Sequence, residues 1–150
     1  VDVELASTIL KGMEATYNFG YTNAKYTELK LSQNGNETDF SGNRQIFTPD
    51  VTSMLALQYN IALVPSRGIQ FVIRGEWMYL GTQYFDLANN ITQSPYHLLN
   101  ARLGLKIKHA ELYFWERNLG NTKYIAYAYD FGAVHLGNPQ NWGFTMRASF

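Results

Sequence analysis

Apolar and polar residues alternate along most of this chain, and the period is two. Val1, Val3, Leu5 and Ile9 lie opposite Asp2, Glu4 and Thr8, and Lys11 and Gly12 then supply a tight turn. In the next run Met13, Ala15, Tyr17, Phe19 and Tyr21 alternate with Glu14, Thr16, Asn18, Gly20 and Thr22. A polar stretch over about residues 25–49, rich in Asn, Gly, Ser and Thr, reads as an exposed loop. Leu55, Leu57, Tyr59 and Ile61 then oppose Met54, Ala56, Gln58 and Asn60, and the short turn VPSRG follows. The fourth run sets Ile69, Phe71, Ile73, Trp77 and Tyr79 against Gln70, Val72, Arg74, Glu76 and Met78. Past a second long loop, about residues 81–95, Leu99, Ala101, Leu103, Leu105 and Ile107 oppose Asn100, Arg102, Gly104 and Lys106. A tight turn near residues 108–110 returns the chain into ELYFWERNL, where three consecutive aromatics, Tyr113, Phe114 and Trp115, blur the alternation. A third long loop, about residues 120–141, leads to the closing run. There Trp142, Phe144, Met146, Ala148 and Phe150 alternate with Gly143, Thr145, Arg147 and Ser149. No segment sustains a period of 3.6, so the pattern predicts an all-β protein, an antiparallel meander of about seven strands.

The connections alternate short and long, which puts every long loop at one end. Soluble sandwiches have no reason for that asymmetry, whereas outer-membrane barrels join strands by short turns on one side and long loops on the other. The runs also exceed the five or six residues common in soluble strands and approach the roughly 9–11 needed to cross a bilayer at a tilt. An antiparallel transmembrane β-barrel segment is therefore the predicted fold.

Composition changes the picture in three places. The formal net charge is zero, which removes any general pull toward nucleic acid. Only 16% of residues are charged, against roughly 25% in soluble domains, while 15% are aromatic. The chain has no cysteine and no apolar run long enough for a membrane helix; it shows no initiator Met or signal peptide and begins inside a strand-like pattern, so it is expected to be a fragment or a processed product. Its charges are sorted by face. The polar columns carry Arg74, Glu76, Arg102, Lys106, Glu111, Arg117 and Arg147, as a wet lumen would, and the apolar columns carry almost none. Arg or Lys facing lipid at the bilayer midplane costs about 2–4 kcal/mol, so lipid contact accounts for that absence. Tyr17, Phe19, Tyr21, Trp77, Tyr79 and Trp142 fall near the long-loop ends of the strands and Tyr59 and Phe150 near the other ends, as two interfacial girdles would place them. The competing assignment is a water-soluble β-barrel or sandwich, in which the same rings fill a dry core around a small apolar ligand.

NARLGLKI, ELYFWERNLGNTKY with its Asn118-Leu119 and Lys123-Tyr124 pairs, YDFG at residues 129–132 and NPQNWGFTMRASF together resemble the C-terminal end of TonB-dependent outer-membrane receptors. YTNAKY before the first long loop and Pro49 before the third run fit the same family, so the resemblance spans the whole chain. It implies that residues 1–150 are the last third of a 22-stranded barrel whose N-terminal plug is absent from this chain. It further implies active uptake of a scarce nutrient of the iron-siderophore, haem or cobalamin class across the outer membrane of a Gram-negative cell. The implied partners are outer-membrane lipid, the plug and remaining strands, the TonB energy-coupling complex and the barrel assembly machinery, with no cofactor. In such barrels the terminal strand resembles an assembly signal and closes the cylinder, which assigns Phe144, Met146 and Phe150 to that role.

Enzymatic and metal chemistry find little support in the residues. His97, His109 and His135 are far apart and lack zinc-site spacing, and no nucleophile has a recognisable His and acid partner. The acceptor patterns NET at Asn36 and NIT at Asn90 are chance matches in a bacterial barrel. Arg74, Glu76, Arg102, Arg117 and Arg147 are the lumen-facing charges. They either line a solute path or pair with one another, and isolated charges there are costly enough to favour pairing. A small non-specific porin is disfavoured by the odd strand number, because single-chain bacterial barrels use even counts.

Overall fold

The computed structural model describes residues 1–33 and 35–149. Among the described residues thirteen strands form in chain order: β1 Asp2–Leu10, β2 Met13–Tyr21, β3 Lys30–Gln33, β4 Asn36–Asp39, β5 Val51–Val64, β6 Ile69–Leu80 and β7 Gln83–Tyr84. They continue as β8 Thr92–Gln93, β9 Tyr96–Ile107, β10 Ala110–Arg117, β11 Ile125–Ala128, β12 Val134–Leu136 and β13 Asn141–Ala148. Seven of them make one antiparallel sheet in the order β1-β2-β5-β6-β9-β10-β13, the predicted meander. The remaining six are three small hairpins, β3-β4, β7-β8 and β11-β12, one inside each long loop.

The short turns fix the register. Gly12 adopts φ 85° and packs so close to β5 that a Cβ there would lie 2.6 Å from the Asn60 carbonyl oxygen, so only glycine fits. Pro65–Arg67 form one 3-10 turn closed by left-handed Gly68, and Lys108 is left-handed in the β9-β10 turn. That last turn pairs Ala110 with Ile107 and therefore sets Tyr113 opposite Gly104 and Trp115 opposite Arg102.

The two faces of the sheet are not equivalent. Leu55, Leu57, Tyr59, Ile73, Leu99, Leu103, Ile107, Leu112 and Phe144 stand exposed on one of them. On the other, Ala56, Val72, Gly104 and Tyr113 are buried among Asn60, Arg74, Glu76, Asn100 and Arg102. A flat sheet would treat both faces alike. Crowding of the polar face and splaying of the apolar one mark a sheet curved toward its polar side, as in a barrel wall. Leu103 and Phe144, 43% and 66% exposed, do not converge on a dry centre, which removes the basis for an apolar-core sandwich.

The blurred alternation of the ELYFWERNL run resolves cleanly. Glu111, Tyr113, Trp115 and Arg117 share the polar face, and Leu112, Phe114 and Glu116 the apolar one. Two glycines make room for the inward rings. A Cβ on Gly104 would come within 2.2 Å of the Tyr113 ring, and one on Gly143 within 2.6 Å of the Trp115 ring. Trp115 Nε1–H also donates to Thr145 Oγ1 at 3.1 Å, which satisfies its polar edge.

Candidate functional site

The expectation of plain exposed loops needs correction. The long connections fold into hairpins that tie together at one end of the sheet and bury side chains of their own, Phe85 at 4% and Ala128 at 1% exposure. The first and second loops join by a reciprocal pair: Asn89 Oδ1 accepts from the Arg44 amide at 2.7 Å, and Asn89 Nδ2 donates to the Arg44 carbonyl at 3.0 Å. The second and third join where the Ile125 amide donates to Gln93 Oε1 at 2.6 Å and where Tyr96 stacks on Tyr124, centroids 4.4 Å apart. The first reaches the third through Phe47, stacked on Tyr127 at 5.1 Å.

Between these loops lies a cleft of about 470 Å³, lined by Phe47, Phe85, Tyr127, Tyr129, Asp86 and Asp130 among others. Its wall is a chain of rings, with Tyr127 edge-on to Tyr129 at 4.5 Å and Tyr129 stacked on exposed Phe131 at 4.9 Å. The adjacent Tyr129 side chain holds the Tyr127 hydroxyl above its ordinary pKa. On the first hairpin the Ser41 hydroxyl, and after it the Ser41 amide, holds Asp39 below the usual carboxylate range. Flat apolar faces beside two carboxylates can take a planar ring or a weakly polar solute by stacking.

Asn118 anchors the third loop, and it is the residue whose part sequence reasoning missed. It is 4% exposed and left-handed at φ 52°, a conformation Asn tolerates better than most residues. Its Nδ2 donates to the carbonyls of Thr122 and Asn138, both at 3.0 Å, and its Oδ1 accepts from the Thr122 amide at 2.8 Å. Its own amide donates to Asn100 Oδ1 at 3.0 Å. One side chain thus binds both feet of the loop. We expect Asn118→Ala to speed hydrogen exchange of the Thr122 amide at least about tenfold, since a buried multivalent amide is lost. Asn118→Gly, which keeps the backbone conformation and loses the clasp, should do nearly the same; an unchanged rate in both variants would exclude the clasp.

The second candidate surface is the crowded face of β6, β9, β10 and β13. Arg74, Glu76, Arg102, Arg117 and Arg147 all line one recess of about 290 Å³ there. They are not generally paired. Arg74 Nε meets Glu76 Oε1 at 2.7 Å and Lys106 meets Glu111 at 3.4 Å, the two ion pairs of this face among the described residues. Arg102 lies over the Tyr113 ring at 4.7 Å and Arg117 over the Trp115 ring at 5.0 Å. Arg74 and Glu76 thus pair with each other, π-faces support Arg102 and Arg117, and Arg147 lies across the strands from Glu111.

The aromatic residues fall on the opposite face in successive rows. Tyr17 and Trp77 share a row with Leu55 and Leu99; Phe19 and Tyr79 share the next with Ser53 and His97. Tyr21 pairs with Val51 one row further toward the loops, and Trp142 pairs with Glu116 on β10. Tyr59 lies toward the short turns, between Met13 and Ile73. Phe144 and Met146 face outward on β13 opposite Phe114 and Leu112, and Phe150 lies outside the described residues. His97 is the second residue of β9, beside the second long loop.

A curved meander with its long loops gathered at one end defines a barrel segment. A family model described as the β-barrel of TonB dependent receptor-like proteins matches residues 3–119. The chain belongs to that family. Solved structures agree in fold. The siderophore receptor PiuA from Acinetobacter baumannii superposes with a TM-score of 0.80 at 19% identity, over 97% of this chain and 20% of that one. The ferric yersiniabactin uptake receptor FyuA from Yersinia pestis gives 0.79 at 19% identity, over 99% of this chain and 23% of that one. The ferric-catecholate import receptor Fiu from Escherichia coli K12 gives 0.72 at 17% identity, over 99% and 20%. The chain thus spans about a fifth of the length of the receptors it resembles.

Proposed function

We propose that residues 1–150 are the C-terminal part of the barrel of an outer-membrane receptor that actively imports a scarce nutrient, of the ferric-siderophore class borne by the receptors it resembles. The observation that carries this reading is the partition of the sheet, with uncharged Leu, Ile and Phe rows splayed outward and Arg74, Arg102, Arg117 and Arg147 on the crowded face. In the closed barrel the outward rows contact lipid, and the Tyr17, Phe19, Tyr21, Trp77, Tyr79 and Trp142 rings mark the interface on the loop side, with Tyr59 on the other. A plug preceding this segment fills the lumen and couples to the TonB complex. The terminal strand closes the barrel, and Phe144 and Met146, with Phe150, form the signal for the assembly machinery. The aromatic loop cleft is the first contact for the solute. The receptor performs no covalent chemistry.

Single spin labels at Leu99, Leu103 and Ile107 of the full-length receptor in lipid vesicles test this. Relaxation by dissolved oxygen should dominate over relaxation by a water-soluble nickel chelate at all three sites, and a label at Asn60 should reverse the ratio. Nickel-dominated relaxation at the Leu and Ile sites would defeat the membrane assignment.

A further inference from the structure

The main sheet changes character at its short-turn end. No Lys or Arg stands on its outward rows, yet each of the three short turns carries one: Lys11 between β1 and β2, Arg67 between β5 and β6, and Lys108 between β9 and β10. All three are exposed, and none of these turns contains an acid. None of the three cations makes an ion pair among the described residues. The nearest acids along the chain, Glu14 and Glu111, belong to the polar face, and Glu111 is engaged by Lys106 at 3.4 Å. Arg67 lies in a stretch with no acid between Asp50 and Glu76, and the turns on both sides of it in the sheet belong to the described chain.

The surroundings of these cations are specific. At the foot of each turn an outward apolar residue stands exposed: Leu10, Val64 and Ile107. Successive turns are two strands apart, so the cations repeat at about 10 Å along the rim, twice the spacing of neighbouring strands. Lys108 also holds a left-handed backbone at φ 47°, which Gly or Asn would adopt at lower cost, so turn geometry does not account for a lysine there. Apolar side chains that end in a line of cations match a boundary where hydrocarbon gives way to phosphate, with each stem in the one and each charge in the other. An acidic protein surface would meet the charges but leave Leu10, Val64 and Ile107 wet, and a plug would lie against the opposite face of the sheet.

We infer that the three short turns form a binding rim for anionic phospholipid, in which Lys11, Arg67 and Lys108 engage headgroup phosphates on the short-turn side of the bilayer. The inference rests on the membrane assignment of the outward rows, which the spin labels decide separately. Attraction is by charge, so a point cation serves as well as a planar one.

The full-length receptor, extracted from vesicles of equimolar phosphatidylglycerol and phosphatidylethanolamine, tests this by native mass spectrometry of the lipids it retains. Wild-type protein should retain phosphatidylglycerol in excess. The triple variant Lys11→Gln, Arg67→Gln, Lys108→Gln should lower the ratio of retained phosphatidylglycerol to phosphatidylethanolamine at least about threefold, since each cation near an anionic surface contributes separately. The charge-keeping set Lys11→Arg, Arg67→Lys, Lys108→Arg should hold the wild-type ratio. Lys25→Gln, Lys30→Gln, Arg44→Gln, which removes the same charge from the first long loop, should hold it too. If the triple variant does not fold, judged by heat-modifiable gel migration, Lys11→Gln with Arg67→Gln, which alters no left-handed residue, replaces it with the same expected direction. The proposal is overturned if wild-type protein shows no excess, if the turn variant keeps it, or if the loop variant loses it equally. Oxygen-dominated labels at Leu99, Leu103 and Ile107 together with an unchanged lipid ratio would reject the rim and leave the membrane assignment standing.

Discussion

Leu103→Arg is expected to destabilise the folded barrel by about 2–4 kcal/mol in a bilayer, the range for a cation placed on the lipid face near the midplane. Leu103 lies well inside β9 and pairs with Ile73 and Phe114 in an outward row. It is 43% exposed within this chain, so little protein packing is lost with the leucine. In water such a surface change would stay within about 0.5 kcal/mol. The two environments therefore predict results several-fold apart for one substitution. Urea unfolding of the full-length receptor in lipid vesicles reads the difference, and Leu103→Ala separates lost apolar area from added charge. An arginine variant as stable as the alanine variant would mean that this row does not meet hydrocarbon.

Gly104→Val is expected to cost at least about 1–3 kcal/mol through the opposite face, by overpacking. A Cβ at residue 104 would lie 2.2 Å from two Tyr113 ring carbons, so the ring must leave its seat. Tyr113 is 5% exposed and supports Arg102, and displacing it also frees that guanidinium. The expected signature is coupling. Tyr113→Ala alone loses ring packing, but in its presence the valine meets no ring, so the double variant should be more stable than the sum of singles implies by about 1 kcal/mol or more. Additivity within about 0.5 kcal/mol would show that the ring and the glycine do not constrain each other.

Much of the sheet was legible in the chain because the information is local. A strand turns its side chains to alternate sides whatever it pairs with, so Leu99, Leu103 and Ile107 separate from Asn100, Arg102 and Lys106 before any partner is known. The β10 segment was harder, because three adjacent aromatics carry no polarity contrast. The signal that would have resolved it was present: a two-residue turn at Lys108 and His109 places Tyr113 across from Gly104, and a glycine in a polar column marks space for a ring. Asn118 was visible only as half of an Asn-Leu pair. Its partners Asn100, Thr122 and Asn138 come from three places in the chain, and no spacing rule collects them.

The sequence by itself determined the seven strands of the main sheet, the alternation of short and long connections, the sorting of charge by face and the family resemblance, since each is written in neighbouring residues. Only the tertiary structure decided that the loops fold onto one another through Phe47, Phe85 and Tyr127, and that Arg74 finds an acid while Arg102 and Arg117 rest on rings. Those outcomes depend on register across strands and on side chains brought together from distant segments. A period of two fixes which side a residue faces, and the cross-strand register fixes what it meets there.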